Sequence, residues 1–336
     1  MERTIDRPAA QLPAVQARAK RAASRILRST PAAVFAVVLV VSIIVHALTG
    51  VFFTAYNIAT LFRQVSFIML VSFGQTLVLI MGGIDLSVAS VAGLSSLVAG
   101  QLTTQSGIDP YLCLLIALAV GAAAGTVNGL LIQGLRLTPF IVTLGTAAIY
   151  KGIVYVYTKG MPITGIPPVA TKLGQGMLFG TVPYPAIFTV LVAALLITML
   201  RRTAFGRHIF AIGGNEQAAS IVGVKINEVK VMVYTLCGLL SGLGGILMTM
   251  RLASSDVRIG ENWVMPSITA AILGGTSMSG GAGSIIGTVV GGLMMGVIST
   301  SITLTGVSSY WETIVTGGVI LVAVAFDAIR QRGQKG

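Results

Sequence analysis

Asp85 stands in the run Gly82-Gly83-Ile84-Asp85-Leu86-Ser87, an acid set between two long apolar stretches. A carboxylate beside hydrocarbon costs on the order of 3 kcal/mol or more unless it is paired, capping a helix or in water. Here the glycines can end one helix, and Asp85 or Ser87 can start the next by accepting orphan backbone N–H groups. Direct contact with a polar solute is the competing reading. Bond-breaking chemistry finds no support elsewhere. His46 and His208 are far apart in the sequence and have no acid beside them, so they form no catalytic pair. Cys113 and Cys237 fall in apolar runs and read as small hydrophobes, with no disulfide framework and no metal cluster. The phosphate-binding pattern GxxxxGK[ST] does not occur, so this chain cannot hydrolyse ATP by that mechanism. The expectation is a chain that is not an enzyme, binds no cofactor of its own and has no catalytic residue.

The second informative stretch is Gly213-Gly214-Asn215-Glu216-Gln217-Ala218-Ala219-Ser220-Ile221-Val222-Gly223. Asn215 suits the N-cap of a short helix, Glu216 its positive first turn, and Gly223 its C′ terminator. A helix this short is not stable alone. With Ala218, Ala219, Ile221 and Val222 to bury and basic residues on both flanks, it needs a docking surface on this chain or on a partner.

The elements that hold these residues must be membrane helices. The chain has 336 residues, of which 54% are hydrophobic and 10% charged, and its mean hydropathy is +0.91. An ordinary soluble domain carries about 25% charged residues. Ten long apolar runs are candidate spans: 31–50, 64–81, 88–104, 111–132, 139–158, 185–200, 231–250, 263–279, 284–305 and 310–326. Only Lys151 and Glu312 interrupt them. The fold class is an all-α polytopic membrane protein of about ten helices in a Gly-rich bundle. The 41 glycines, as in Gly121–Gly125 and Gly238–Gly245, let helices approach where lipid supplies no hydrophobic drive for association.

A net charge of +12 would suggest nucleic acid in a soluble protein, but the basic residues gather at span ends. Seven lie in residues 1–30, five in 201–230 and three after Phe326, each group separated from the next by an even number of spans. With Arg136 they outnumber Arg63, Lys159, Lys172, Arg251 and Arg258 on the opposite side, so the positive-inside rule gives N-in and C-in. The domains follow: a basic cytoplasmic N-terminal segment, 1–30; a transmembrane domain, 31–326, with a cytoplasmic loop, 201–230; and a basic cytoplasmic tail, 327–336. The N-terminus is too long and polar for a removable signal peptide.

A weak internal echo relates Ile80–Ser87 to Ile272-Leu273-Gly274-Gly275-Thr276-Ser277-Met278-Ser279. Paired interruptions of apolar runs mark substrate paths in transporters with internal repeats, which makes Gly82, Gly83, Asp85, Ser87, Gly274, Gly275, Thr276 and Ser277 candidates for a translocation path or helix breaks. Chance similarity of Gly-rich segments is the other reading. Gln75, Thr76, Asn128, Thr143 and Thr146 are uncharged polar residues inside spans, with interhelical hydrogen bonding and a solute path both open; Gln75, Asn128 and Thr143 are the chosen path candidates. Trp263, Tyr310 and Trp311 suit an interfacial aromatic belt. Lys151 can snorkel toward headgroups or line a watery cavity.

The GGIDLS signature, the AIGGNEQAASIVGVKINEVK loop followed by VYTLCGLLSGLGGIL, then AILGGTSMSGGAGSIIGT and the ending GVSSYWETIVTGGVILVAVAFD together resemble the ribose/xylose/autoinducer-type permeases of ABC importers, from about residue 34 to 328. The resemblance implies a permease subunit for a sugar or similar small polar solute in the bacterial inner membrane. It implies a second permease copy or paralogue, cytoplasmic ATPase subunits that bind ATP, and an extracytoplasmic solute-binding protein; lipid is the other partner, and nucleic acid is not. It also makes Gly213, Gly214, Asn215, Glu216, Ala218, Ala219, Val222 and Gly223 the loop that couples to the ATPase. Before the second Gly-Gly pair the family often carries an acid and a Leu-Asp-Ala-like stretch, whereas this chain reads Glu261-Asn262-Trp263-Val264-Met265-Pro266-Ser267-Ile268. That departure bears on which sugar is carried. Permeases for branched-chain amino acids or nucleosides are near alternatives, and an ion-coupled secondary transporter, which would need intramembrane carboxylates or His, is a more distant one.

Overall fold

The structure, a computed structural model, describes residues 30–105, 108–308 and 310–335. The basic segment 1–30 therefore lies outside the described residues except for its last position. Among the described residues there are thirteen helices: α1 Thr30–Thr49, α2 Ala55–Ile80, α3 Val88–Gln105, α4 Pro110–Leu135, α5 Pro139–Thr158, α6 Pro168–Gln175, α7 Tyr184–Arg202, α8 Ala204–Gly214, α9 Glu216–Ile221, α10 Ile226–Leu252, α11 Val264–Leu273, α12 Ile285–Leu304 and α13 Tyr310–Lys335. Two minimal antiparallel pairings accompany them. Ile163–Thr164 joins Ser254–Ser255, and Met177–Leu178 joins Val182–Pro183.

Seven helices are long and apolar enough to cross a bilayer: α1, α2, α4, α5, α7, α10 and α12. Shorter apolar helices, α3, α11 and the apolar part of α13, occupy the other three candidate spans. The chain is thus an all-α polytopic membrane protein. One span differs from its apolar run: 263–279 is helical only to Leu273. Its ten residues rise about 15 Å, half of a hydrocarbon core about 30 Å thick. The reason is local, because Gly274 and Gly275 end the helix and residues 254–263 run back into the bundle without helical structure before it begins.

Helix α10 is the centre of the bundle, packed against α4, α3 and α2. Small residues make that packing close. A Cβ at Gly125 of α4 would strike the Tyr234 carbonyl, and one at Gly238 of α10 the Gly121 carbonyl. Helix α2 is the most deeply embedded, with Leu70, Phe73, Leu77 and Ile80 fully buried. By contrast α1, α5 and α7 expose apolar faces such as Val40, Ile43, Ile149 and Leu195, as lipid-facing helices do.

The connections sort to two ends of the bundle. At one end the Arg63 guanidinium donates to the Gln175 carbonyl, and the Gln175 amide donates to the Arg251 carbonyl. At the other end lie the end of α2, the α8–α9 turn and the loop before α12.

Candidate functional site

The first Gly-Gly break ends α2 with a pair of backbone bonds: the Gly82 N–H donates to the Leu79 carbonyl and the Gly83 N–H to the Val78 carbonyl. Gly82 takes φ +78°, the left-handed conformation that such a helix end requires. The second break repeats this pattern, with Gly275 N–H to Ile272 and Thr276 N–H to Ala271, and φ +87° at Gly275. The sequence echo is therefore a shared helix-ending motif. Its structural register is one residue off the sequence match, pairing Gly82 with Gly275.

Beyond the first break the chain runs inward to Asp85, which is buried at 1% exposure. Its carboxylate accepts from the Ser87 N–H (2.8 Å) and the Ser87 hydroxyl (2.6 Å). Ser87 begins α3, its carbonyl accepting from the Val91 N–H. Asp85 thus braces the turn into α3 from two residues before the cap. The Asn128 amide donates to the Ser87 hydroxyl (2.7 Å), and the Leu86 N–H donates to the Thr143 hydroxyl (3.1 Å). Asn128 of α4 and Thr143 of α5, both candidates for the solute path, are fully buried and hold this segment. Tyr234 and Cys237 of α10 face the same carboxylate. Gln75 is buried in α2, and neither of its amide atoms has a protein partner; nor does the Thr276 hydroxyl. Thr76 is explained by its hydrogen bond to Thr288 at 2.7 Å.

The segment 201–230 folds as two helices, not one. Helix α8 escaped the sequence reading although it carries two signals: Thr203 caps it, accepting from the Gly206 N–H (3.1 Å), and Phe205, Ile209 and Ile212 share one face. Helix α9 begins as expected at Asn215, whose side chain accepts from the Ala218 N–H (2.9 Å). It ends at Gly223 with φ +84°. Glu216 in the first turn pairs with Lys230 (2.7 Å). The expected docking face needs one correction. Ala219 is buried within this chain, whereas Ile221 and Val222 are 86% and 77% exposed. The short helix uses the small side chain to seat itself on the bundle and presents the two branched ones outward, together with Ala218.

The α8–α9 turn, the end of α2 and the loop before α12 meet at one point. The Gly281 N–H donates to the Ile80 carbonyl (2.8 Å), at the end of α2. Gly213, at the end of α8, lies so close that a Cβ there would collide with that same carbonyl and with the Gly281 nitrogen. A Cβ at Gly280 would meet the Gly213 carbonyl at 2.7 Å and the Gly82 nitrogen at 3.0 Å. Three backbones thus touch where side chains would keep them apart, and Gly213 is required by that proximity.

Lys151 does not stand alone. Its ammonium pairs with Glu261 at 2.9 Å and sits over the Tyr155 ring. No group of three or more His, Cys, Asp or Glu residues that could hold a metal occurs among the described residues.

A family model described as "Branched-chain amino acid transport system / permease component" matches residues 57–324. The chain is 45% identical over 288 residues to the ribose import permease protein of Bacillus subtilis, covering 85% of this chain and 88% of that protein. It is 39% identical over 297 residues to the ribose import permease protein of Escherichia coli K12, covering 87% and 92%. Against the fructose import permease protein of Rhizobium meliloti the identity is 37% over 310 residues, covering 90% and 86%. No solved structure matches significantly.

Proposed function

The chain belongs to this family of transport-system permease components, and we propose from that membership that it passes a sugar, delivered by an extracytoplasmic binding protein, through the membrane at the expense of ATP hydrolysed on partner subunits. It is a multi-pass protein of the bacterial inner membrane and a transport subunit. The observation that carries the sugar assignment is the near full-length similarity to import permeases for ribose and fructose. The same assignment extends to an allose transport permease protein of Escherichia coli K12 at 36% identity. A permease of this kind works with a second copy or paralogue, so that the path forms between two chains.

The mechanism follows from the junction of Ile80, Gly213 and Gly281. Helix α9 offers Ile221 and Val222 to the groove of an ATPase, and α8 links it rigidly to the ends of α2 and the loop before α12. When the ATPases move on binding and hydrolysing ATP, that displacement reaches the end of α2 and the loop that follows the second break through backbone contacts that hold no compressible side chain. Residues 1–30, the loop 201–230 and the tail then face the cytoplasm. Substrate choice is tested by uptake of labelled ribose in cells carrying the whole importer, with fructose, allose, galactose and leucine as competitors. The reading expects a sugar to compete and leucine not to. Uptake of labelled leucine with no uptake of any of these sugars would move the chain to the amino-acid branch.

A further inference from the structure

Residues 254–263 enter the bundle from the end where α10 finishes, and residues 82–87 enter from the end where α2 finishes. The first of these segments packs along α3, the helix that follows the second. A Cβ at Gly260, which has φ +88°, would collide with the Ala89 carbonyl in the first turn of α3, and one at Gly93 would meet the Ile259 carbonyl at 3.3 Å. Irregular backbone at membrane depth is tolerated only inside protein or along a water-filled cavity. Beside this contact lies a cleft of about 190 Å³, floored by Leu86, Ala89, Ser90 and Gly93, walled by Lys151 and Glu261 and otherwise lined by apolar residues such as Val257 and Ile259.

The Lys151–Glu261 pair is half exposed, with side-chain exposures of 50% and 42%. Lys151 is seven residues from the end of α5, about 10 Å along the helix axis. A half-bare ion pair does not face acyl chains without a large penalty, so its open side belongs to a polar neighbour: a headgroup, water or a polar solute. The cleft is smaller than the roughly 300–1,000 Å³ of drug-sized pockets, which suits a solute the size of one monosaccharide. An ammonium and a carboxylate 2.9 Å apart present donors and an acceptor at the spacing of neighbouring hydroxyls. The Tyr155 ring, which the ammonium overlies, is 38% exposed beside them.

We propose that this cleft is a sugar subsite on the path, in which Lys151 and Glu261 hydrogen-bond adjacent hydroxyls of the solute against the first turns of α3. The proposal rests on the sugar-permease reading and assigns it a place and two residues. Neither residue hydrogen-bonds Asp85 or belongs to α9, and both are half exposed, so their substitution leaves the fold in place.

The test uses the complete importer in proteoliposomes, with labelled ribose as the probe. Lys151→Gln and Glu261→Gln should each lower ATP-driven uptake about tenfold or more, the loss of one charge-assisted hydrogen bond. The single variants and the exchanged pair Lys151→Glu with Glu261→Lys should all keep wild-type protein abundance, and the exchanged pair should leave uptake impaired. In the Ser90→Cys variant, a polar thiol reagent should label the cleft, and ribose with binding protein should slow the labelling. Wild-type uptake by both single variants, or full uptake by the exchanged pair, would reduce the ion pair to a staple between α5 and the segment before α11. A Ser90→Cys thiol out of reach of the reagent would likewise overturn the subsite. Absence of sugar uptake by the wild-type importer would defeat the permease reading itself, which separates the two failures.

Discussion

Asp85 is held inside the bundle by two hydrogen bonds from Ser87, and Ser87 is held in turn by Asn128. Removing the carboxylate strips partners from a buried N–H and a hydroxyl, a loss of about 1–3 kcal/mol. Asp85→Ala should therefore lower the melting temperature of the purified protein in detergent, while Asp85→Asn, which keeps an acceptor oxygen, should lower it less. Equal melting of all three proteins would remove Asp85 from the account. This brace was legible in the sequence because Asp, Ser and a preceding Gly pair act over a few residues. The same holds for Asn215 and Gly223 at the two ends of α9. The roles of Lys151 and Ala219 were not legible. The partner of Lys151 lies on another element, and whether an alanine on a short helix turns inward depends on what that helix rests upon.

At the scale of elements, α9 carries the sharpest consequence. Because Ala219 faces this chain, a large residue there would disturb local packing as well as any docking. Val222→Arg is the cleaner probe. It lies on an exposed surface, where substitutions usually change stability by within about 0.5 kcal/mol, yet it would place a charge in a desolvated contact with an ATPase. The permease should remain abundant and folded, while co-purification of the ATPase and sugar-stimulated ATP hydrolysis fall. Retention of both at wild-type levels would free α9 from a docking role. Gly213→Ala examines the other side of the same helix pair. Its Cβ would meet the Ile80 carbonyl, and overpacking of this kind costs about 1–3 kcal/mol. Uptake per molecule should fall, and normal uptake would show that the junction does not transmit motion. Of these elements α9 was foreseen from its caps, whereas α8 was passed over because its apolar face is short and interrupted by Arg207 and His208. The shortness of α11 was hidden by an unbroken apolar run, since hydropathy does not distinguish a helix from an extended segment buried in protein.

At the scale of the molecule, the apolar runs and their basic flanks were enough to foresee a polytopic bundle, because hydropathy and charge at span ends are set by the bilayer and not by packing detail. The meeting of the end of α2 and the loop before α12 with the α8–α9 turn was beyond reach, as it joins residues 80, 213 and 281 through backbone contacts that leave no side-chain pattern. The orientation is tested by a Ser220→Cys variant: an impermeant thiol reagent should fail to label it from outside intact cells, and labelling from outside would invert the assignment. The account stands above all on the source of energy. Labelled ribose uptake should be measured in proteoliposomes containing this permease, with its binding protein outside and its ATPase with ATP inside, and compared with vesicles that lack the ATPase but carry a proton or sodium gradient. Uptake that needs ATP, ATPase and binding protein together, and is absent under a gradient alone, is the predicted result; uptake driven by the gradient without the ATPase would contradict it.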